Sequence, residues 1–187
     1  MSSSNLIRWG GMAALLSGVV WVAQGLLDLI LADPDEGNWL DVLFIVSVLL
    51  ALVGLVGFHA LQKGNYGRIE RAGFYTVIAA ASVQIVAQVG LMSGSTAVEF
   101  LDFLGLLGVM VGFVLYGAAT LQARVLPRWC GVGFIVGLPL WWVVSVVLGN
   151  EYGGSLGGIL FALLWLALGY VLWSRRGMAA EEAPRVS

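Results

Sequence analysis

The sequence is dominated by long apolar runs. A helix that crosses a bilayer needs about 20 mostly apolar residues, and six stretches meet that requirement. They run from Trp9 to Leu31, Val42 to Leu61, Ala72 to Met92, Phe103 to Leu121, Trp129 to Gly149 and Leu156 to Trp173. Only short links remain between them: Ala32–Asp41, Gln62–Arg71, Ser93–Asp102, Gln122–Arg128 and Asn150–Ser155. None can hold a soluble domain, and short links make consecutive helices antiparallel neighbours. The expected fold is therefore an all-α polytopic membrane protein. Its single domain covers 1–174 as six transmembrane helices in three sequential antiparallel hairpins, followed by a disordered cytoplasmic tail, 175–187.

Composition excludes the alternatives. Only 11% of the chain is charged and 60% is apolar, against about 25% charged in soluble domains. A soluble domain of 187 residues cannot bury that much apolar surface. An ordinary cytosolic enzyme, a disordered chain and a nucleic-acid binder are thereby set aside. Cys130 is the sole cysteine and His59 the sole histidine. That leaves no intrachain disulfide, no cysteine cluster and no multi-histidine metal or haem site within one chain. No cofactor or metal is expected.

Charge placement gives the orientation. Arg8 precedes the first span; Lys63, Arg68 and Arg71 lie between the second and third. Arg124 and Arg128 lie between the fourth and fifth, and Arg175, Arg176 and Arg185 follow the sixth. All nine bases thus fall on one side. The other side holds Asp28, Asp33, Asp35, Glu36, Asp41, Glu99, Asp102 and Glu151 and no base. Because basic loops stay in the cytoplasm, the expectation is a multi-pass plasma-membrane protein with both termini cytoplasmic. The first span is too long for a signal-peptide core, so uncleaved insertion is expected.

The hairpins resemble one another. Spans one, three and five open as Arg8-Trp9-Gly10-Gly11, Arg71-Ala72-Gly73-Phe74 and Arg128-Trp129-Cys130-Gly131. Val22-Ala23-Gln24 recurs as Val86-Ala87-Gln88, and Trp39-Leu40-Asp41 as Phe100-Leu101-Asp102. Spans two and four close alike, at Leu61-Gln62 and Leu121-Gln122. The third unit carries Leu156-Gly157-Gly158 where the aspartate would stand. A two-helix repeat relates its copies by an axis along the bilayer normal, so a pseudo-threefold internal repeat is expected. Mitochondrial carriers share a three-hairpin plan, but their Pro-x-Asp/Glu-x-x-Lys/Arg signature is absent, and that family is not assigned.

Small residues recur at four-residue spacing, as in Gly90/Gly94, Gly108/Gly112, Gly133/Gly137 and Gly154/Gly158. Such pairs let helix backbones approach closely in lipid. Polar residues inside the spans stand out against them. Gln24, Gln88 and Ser145 all lie ~25 Å from the basic end of their helices, at 1.5 Å per residue. Gln84 is one turn before Gln88, and Asp28 one turn beyond Gln24. An amide in hydrocarbon must find partners. These residues are read first as hydrogen-bonding glue between helices. Alternatively Gln24, Asp28, Gln84, Gln88, Trp141 and Ser145 line a ligand pocket. Asp28 is read as an interfacial carboxylate, although an ionisable residue within a span is a functional candidate by default. Trp21, Trp141 and Trp165 lie deeper than the tryptophans at the span ends and are available to wall an apolar pocket. Pro139 predicts a kink in the fifth span.

No His-Glu-x-x-His, Gly-x-Ser-x-Gly or Walker lysine loop is present, so catalysis is not expected. Two functions remain. The first is a non-catalytic helix-bundle scaffold or accessory subunit, its partners being the lipid bilayer and other membrane subunits or a second copy, engaged through small-residue faces. The alternative is a small-solute or cation binding or transport protein with a pocket in the outer half of the bundle. Neither involves nucleic acid.

Overall fold

The computed structural model describes residues 3–31, 37–62, 67–149 and 152–175. Its elements are α1 (Ser3–Leu31), α2 (Gly37–Leu61), α3 (Arg68–Met92), α4 (Glu99–Ala123), α5 (Arg128–Leu148) and α6 (Gly153–Ser174). One short 3-10 turn, Thr96–Val98, leads into α4. No strand occurs among the described residues, and all six helices are long and apolar enough to cross a membrane. Helices suit that solvent because each satisfies its backbone polar groups within itself. Asp33, Asp35, Glu36, Lys63, Glu151 and the tail from 176 onward lie outside the described residues.

The helices start earlier than the apolar runs do, from one residue early at α5 (Arg128 against Trp129) to six at α1 (Ser3 against Trp9). The first turn of a helix leaves backbone N–H groups unpaired within it. Polar residues in that turn keep those groups near water, so the helix begins before the hydropathy rises. Pro139 sits inside α5 without ending it.

Each helix touches its neighbours in the chain, α6 returns to α1, and α2 also reaches α6. The backbones of helices on opposite sides, such as α1 and α4, do not approach one another across the centre among the described residues. The six therefore form a closed ring. Most of its seams are built on glycine. A Cβ on Gly10 would lie 2.5 Å from the Gly57 Cα, joining α1 to α2. A Cβ on Gly73 would lie 2.5 Å from the Tyr116 nitrogen, joining α3 to α4. One on Gly117 would lie 2.6 Å from the Gly131 oxygen, joining α4 to α5. Gly11, Gly18, Gly25 and Gly169 do the same between α1 and α6. Between α2 and α3 no glycine makes such an approach among the described residues.

The charges divide between the ends of this ring. Asp28, Asp41 and Asp102 lie at one end, here the acidic end; Arg68, Arg71, Arg124, Arg128 and Arg175 lie at the other, the basic end. Toward the basic end the centre is filled by aromatic rings. Phe134 packs on Tyr116 at 5.3 Å, Phe58 at 5.4 Å, Phe113 at 5.7 Å and Trp165 at 6.3 Å. Phe113 stacks on Phe134 and the other three meet it edge-to-face, contacts that favour a fixed arrangement of rings.

Candidate functional site: a cavity at the acidic end of the ring

Above that aromatic plug the ring encloses a cavity of about 240 Å³, to which all six helices contribute. Its lining runs from mid-helix residues such as Leu52, Val77 and Trp165 to Asp28 near the end of α1 and Gly154 and Ser155 at the start of α6, so it extends from the middle of the ring toward the acidic end. Trp165 and Phe113 form its floor, with Trp21 and Phe161 packed edge-on at 5.0 Å beside them. Small side chains give it room: Ala51 and Ala81 line it, as do Gly154 and Gly158. A Cβ on Gly154 would touch nothing within 4 Å, and one on Gly158 would meet only Trp141 Nε1, at 3.9 Å. These two glycines thus face open space, unlike those in the seams.

One end of the cavity is polar. Gln24, Asp28, Gln84 and Ser155 line it there. The Ser155 hydroxyl donates to the Asp28 carboxylate, tying α6 to α1. Trp141 Nε1–H donates to the Gly154 carbonyl at 3.1 Å. Gln84 hydrogen-bonds Asp102 on α4. One turn further on, Gln88 Nε2 donates to Asp41 Oδ1 on α2 at 2.8 Å. The polar donors around the cavity are therefore largely engaged with acceptors of the chain itself. The acceptors are not all matched. Gln24 Oε1 and Asp102 Oδ1 are buried with no hydrogen-bond partner.

The structure divides the six candidate pocket residues. Gln24, Asp28, Gln84 and Trp141 line the cavity. Gln88 and Ser145 stand outside its lining. Gln88 is turned to Asp41, and the Ser145 hydroxyl donates to the Trp141 carbonyl at 2.9 Å and reaches the Gly153 carbonyl at 3.3 Å. The equal height of Gln24, Gln88 and Ser145 along their helices did not place them on one surface, because height leaves rotation about the helix axis undetermined.

A second polar cluster, absent from the sequence reading, lies at the basic end. His59 Nδ1 and Glu70 Oε1 are 2.6 Å apart, bridging α2 and α3, and the imidazole stacks on Phe74 at 4.1 Å. Glu70 is buried and its Oε2 has no hydrogen-bond partner. Gln62 Nε2 donates to Tyr116 Oη and Thr120 Oγ1, both at 3.1 Å. Signals for this cluster existed: Glu70 is an acid among the bases of its loop, and Gln62 ends an apolar run. Among the described residues no group of three or more His, Cys, Asp or Glu side chains is placed to hold a metal ion.

Comparison with family profiles, curated proteins and solved structures found no significant match.

Proposed function

We propose that this chain is a small-solute binding or transport protein of the membrane, with its ligand in the central cavity. The observation that carries this reading is the cavity itself: about 240 Å³, floored by aromatic rings and polar at one end. A cavity of ~150 Å³ in a protein core already holds benzene, and sites between the helices of a bundle are a common place for ligands. The scaffold reading is weaker, because it needed the small-residue faces for partners. Gly108 and Gly112 face Ala80 and Val77, and Gly133 and Gly137 face Leu164, all within the chain. Gly154 and Gly158 face the cavity.

The same proposal takes the bundle as three sequential antiparallel hairpins with a pseudo-threefold repeat. The paired approaches of Gly10 to Gly57 and Gly54 to Ala14 support the antiparallel pairing of the first hairpin, since one index rises as the other falls; the repeat rests on the sequence likeness of the units. With basic loops inside, both termini are cytoplasmic in the plasma membrane and the cavity lies in the outer half.

The test is a titration of the purified full chain in mild detergent with benzyl alcohol, followed by tryptophan fluorescence. Trp21, Trp141 and Trp165 line the cavity, so saturable quenching is expected. Ala81→Phe fills the space and should abolish saturation while leaving helix content unchanged. Identical curves for the two proteins would return the chain to the scaffold reading.

A further inference from the structure

The hydrogen bonds around the cavity constrain what can enter it. Three of the donors at its polar end are engaged. The Ser155 hydroxyl is held by Asp28, the Trp141 indole N–H by the Gly154 carbonyl, and Gln84 by Asp102. The unmatched group in the lining is an oxygen, the buried Gln24 Oε1; Asp102 Oδ1, also buried and unmatched, stands behind Gln84 outside the lining. Asp28 adds a carboxylate to the lining, and one hydroxyl does not exhaust its lone pairs. No basic side chain lines the cavity. A buried acceptor without a donor costs about 1–3 kcal/mol, so an occupant that donates hydrogen bonds removes a penalty the empty site carries. An occupant that only accepts adds one.

Charge points the same way. The polar end offers a carboxylate, and the floor and walls offer the faces and edges of Trp21, Phe113, Phe161 and Trp165. Carboxylate and aromatic rings together favour a cation with an apolar body. The sequence contains a reason for the opening. Where the first two units carry Asp41 and Asp102, the third carries Leu156-Gly157-Gly158 and no carboxylate. Gln88 is held through its Nε2 by Asp41, whereas the acceptor oxygen of the corresponding Gln24 is left without a donor.

We propose that the cavity binds a compact organic ammonium ion, its apolar body on the aromatic floor and its N–H groups donating to Asp28 and Gln24. This rests on the ligand-pocket reading above, and the experiment separates the two. Four probes of nearly one shape differ only in the head: benzylammonium, benzyl alcohol, toluene and benzoate. Each is titrated into the full-length protein in detergent by calorimetry at neutral pH, with Ala81→Phe as the blank for partitioning into micelles.

Benzylammonium should bind at least about tenfold more tightly than toluene or benzyl alcohol, which is ~1.4 kcal/mol. Benzoate should show no saturable binding. Asp28→Asn should lose about tenfold for benzylammonium and leave toluene unchanged. Toluene matching benzylammonium, or saturable binding of benzoate, overturns the ammonium assignment and leaves the pocket reading intact. Absence of saturable binding by all four overturns both. Should Asp28→Asn fail to fold, the ranking of the four probes on the unmodified protein still decides.

Discussion

Gln84 and Gln88, one helical turn apart on α3, hold two carboxylates on opposite neighbours: Asp102 on α4 and Asp41 on α2. The Asp41 contact matters most where packing is weakest, since no glycine draws α2 against α3 among the described residues. That seam is fastened by Gln88–Asp41 at the acidic end and His59–Glu70 at the basic end. Interhelical hydrogen bonds in membrane proteins contribute ~0.6 kcal/mol on average. Gln88→Leu should cost more, about 1 kcal/mol, because it also leaves the Asp41 carboxylate without its donor. Unfolding in mixed detergent measures this, and a double-mutant cycle with Asp41→Leu should recover most of the loss. Additive losses in the cycle would show that the contact couples nothing. The sequence marked the glutamines as residues that need partners, because an amide in an apolar run has none locally. It could not name the partners: Asp41 and Gln88 are 47 positions apart. Glu70 escaped for a related reason. It counts as one more loop charge until the fold sets it against His59, 11 positions earlier.

At the level of elements, four-residue spacing of small residues was legible in the sequence, and its meaning depended on what each face meets. Gly73 and Gly154 show the two cases. A Cβ on Gly73 would sit 2.5 Å from the Tyr116 nitrogen, a backbone atom that cannot swing aside. Gly73→Ala should therefore push α3 from α4 and cost ~1–3 kcal/mol, as overpacking does. Gly154→Ala meets nothing within 4 Å and should change stability by less than about 1 kcal/mol, the propensity gain of alanine over glycine. Thermal unfolding of both variants in the same detergent checks the contrast, and equal losses would contradict the seam geometry. Helix ends toward the C-terminus were read within two residues, as at Leu31, Leu61 and Met92. The N-terminal ends were read late because hydropathy reports the apolar run, whereas a helix begins at its first hydrogen-bonded turn. Ring closure was less legible: short links predict chain neighbours, but the return of α6 to α1 depends on Gly11, Gly18, Gly25 and Gly169, glycines far apart in the chain.

For the whole molecule, the direction of the cavity follows from the distribution of charge. The plug of Phe58, Tyr116, Phe134 and Trp165 lies between the cavity and the basic end, while Asp28 and Gln24 lie at its acidic end. A ligand of the kind proposed would therefore enter from the acidic end unless the rings move. If basic loops are retained in the cytoplasm, that end is extracellular. Two positions exposed in the structure, Glu99 and Arg124, decide the matter. In a Cys130→Ser background, Glu99→Cys should react with a membrane-impermeant thiol reagent in intact cells. Arg124→Cys should react only after the membrane is opened. Both sites lie on α4 or immediately after it, so a single helix reports both faces of the bilayer. The opposite pattern would invert the bundle and turn the cavity to the cytoplasm. The ammonium ion would then have to be a cytosolic one. Labelling of both positions in intact cells would mean that α4 does not cross the membrane. The cavity, which takes Val109 and Phe113 from that helix, would then no longer lie within the bilayer.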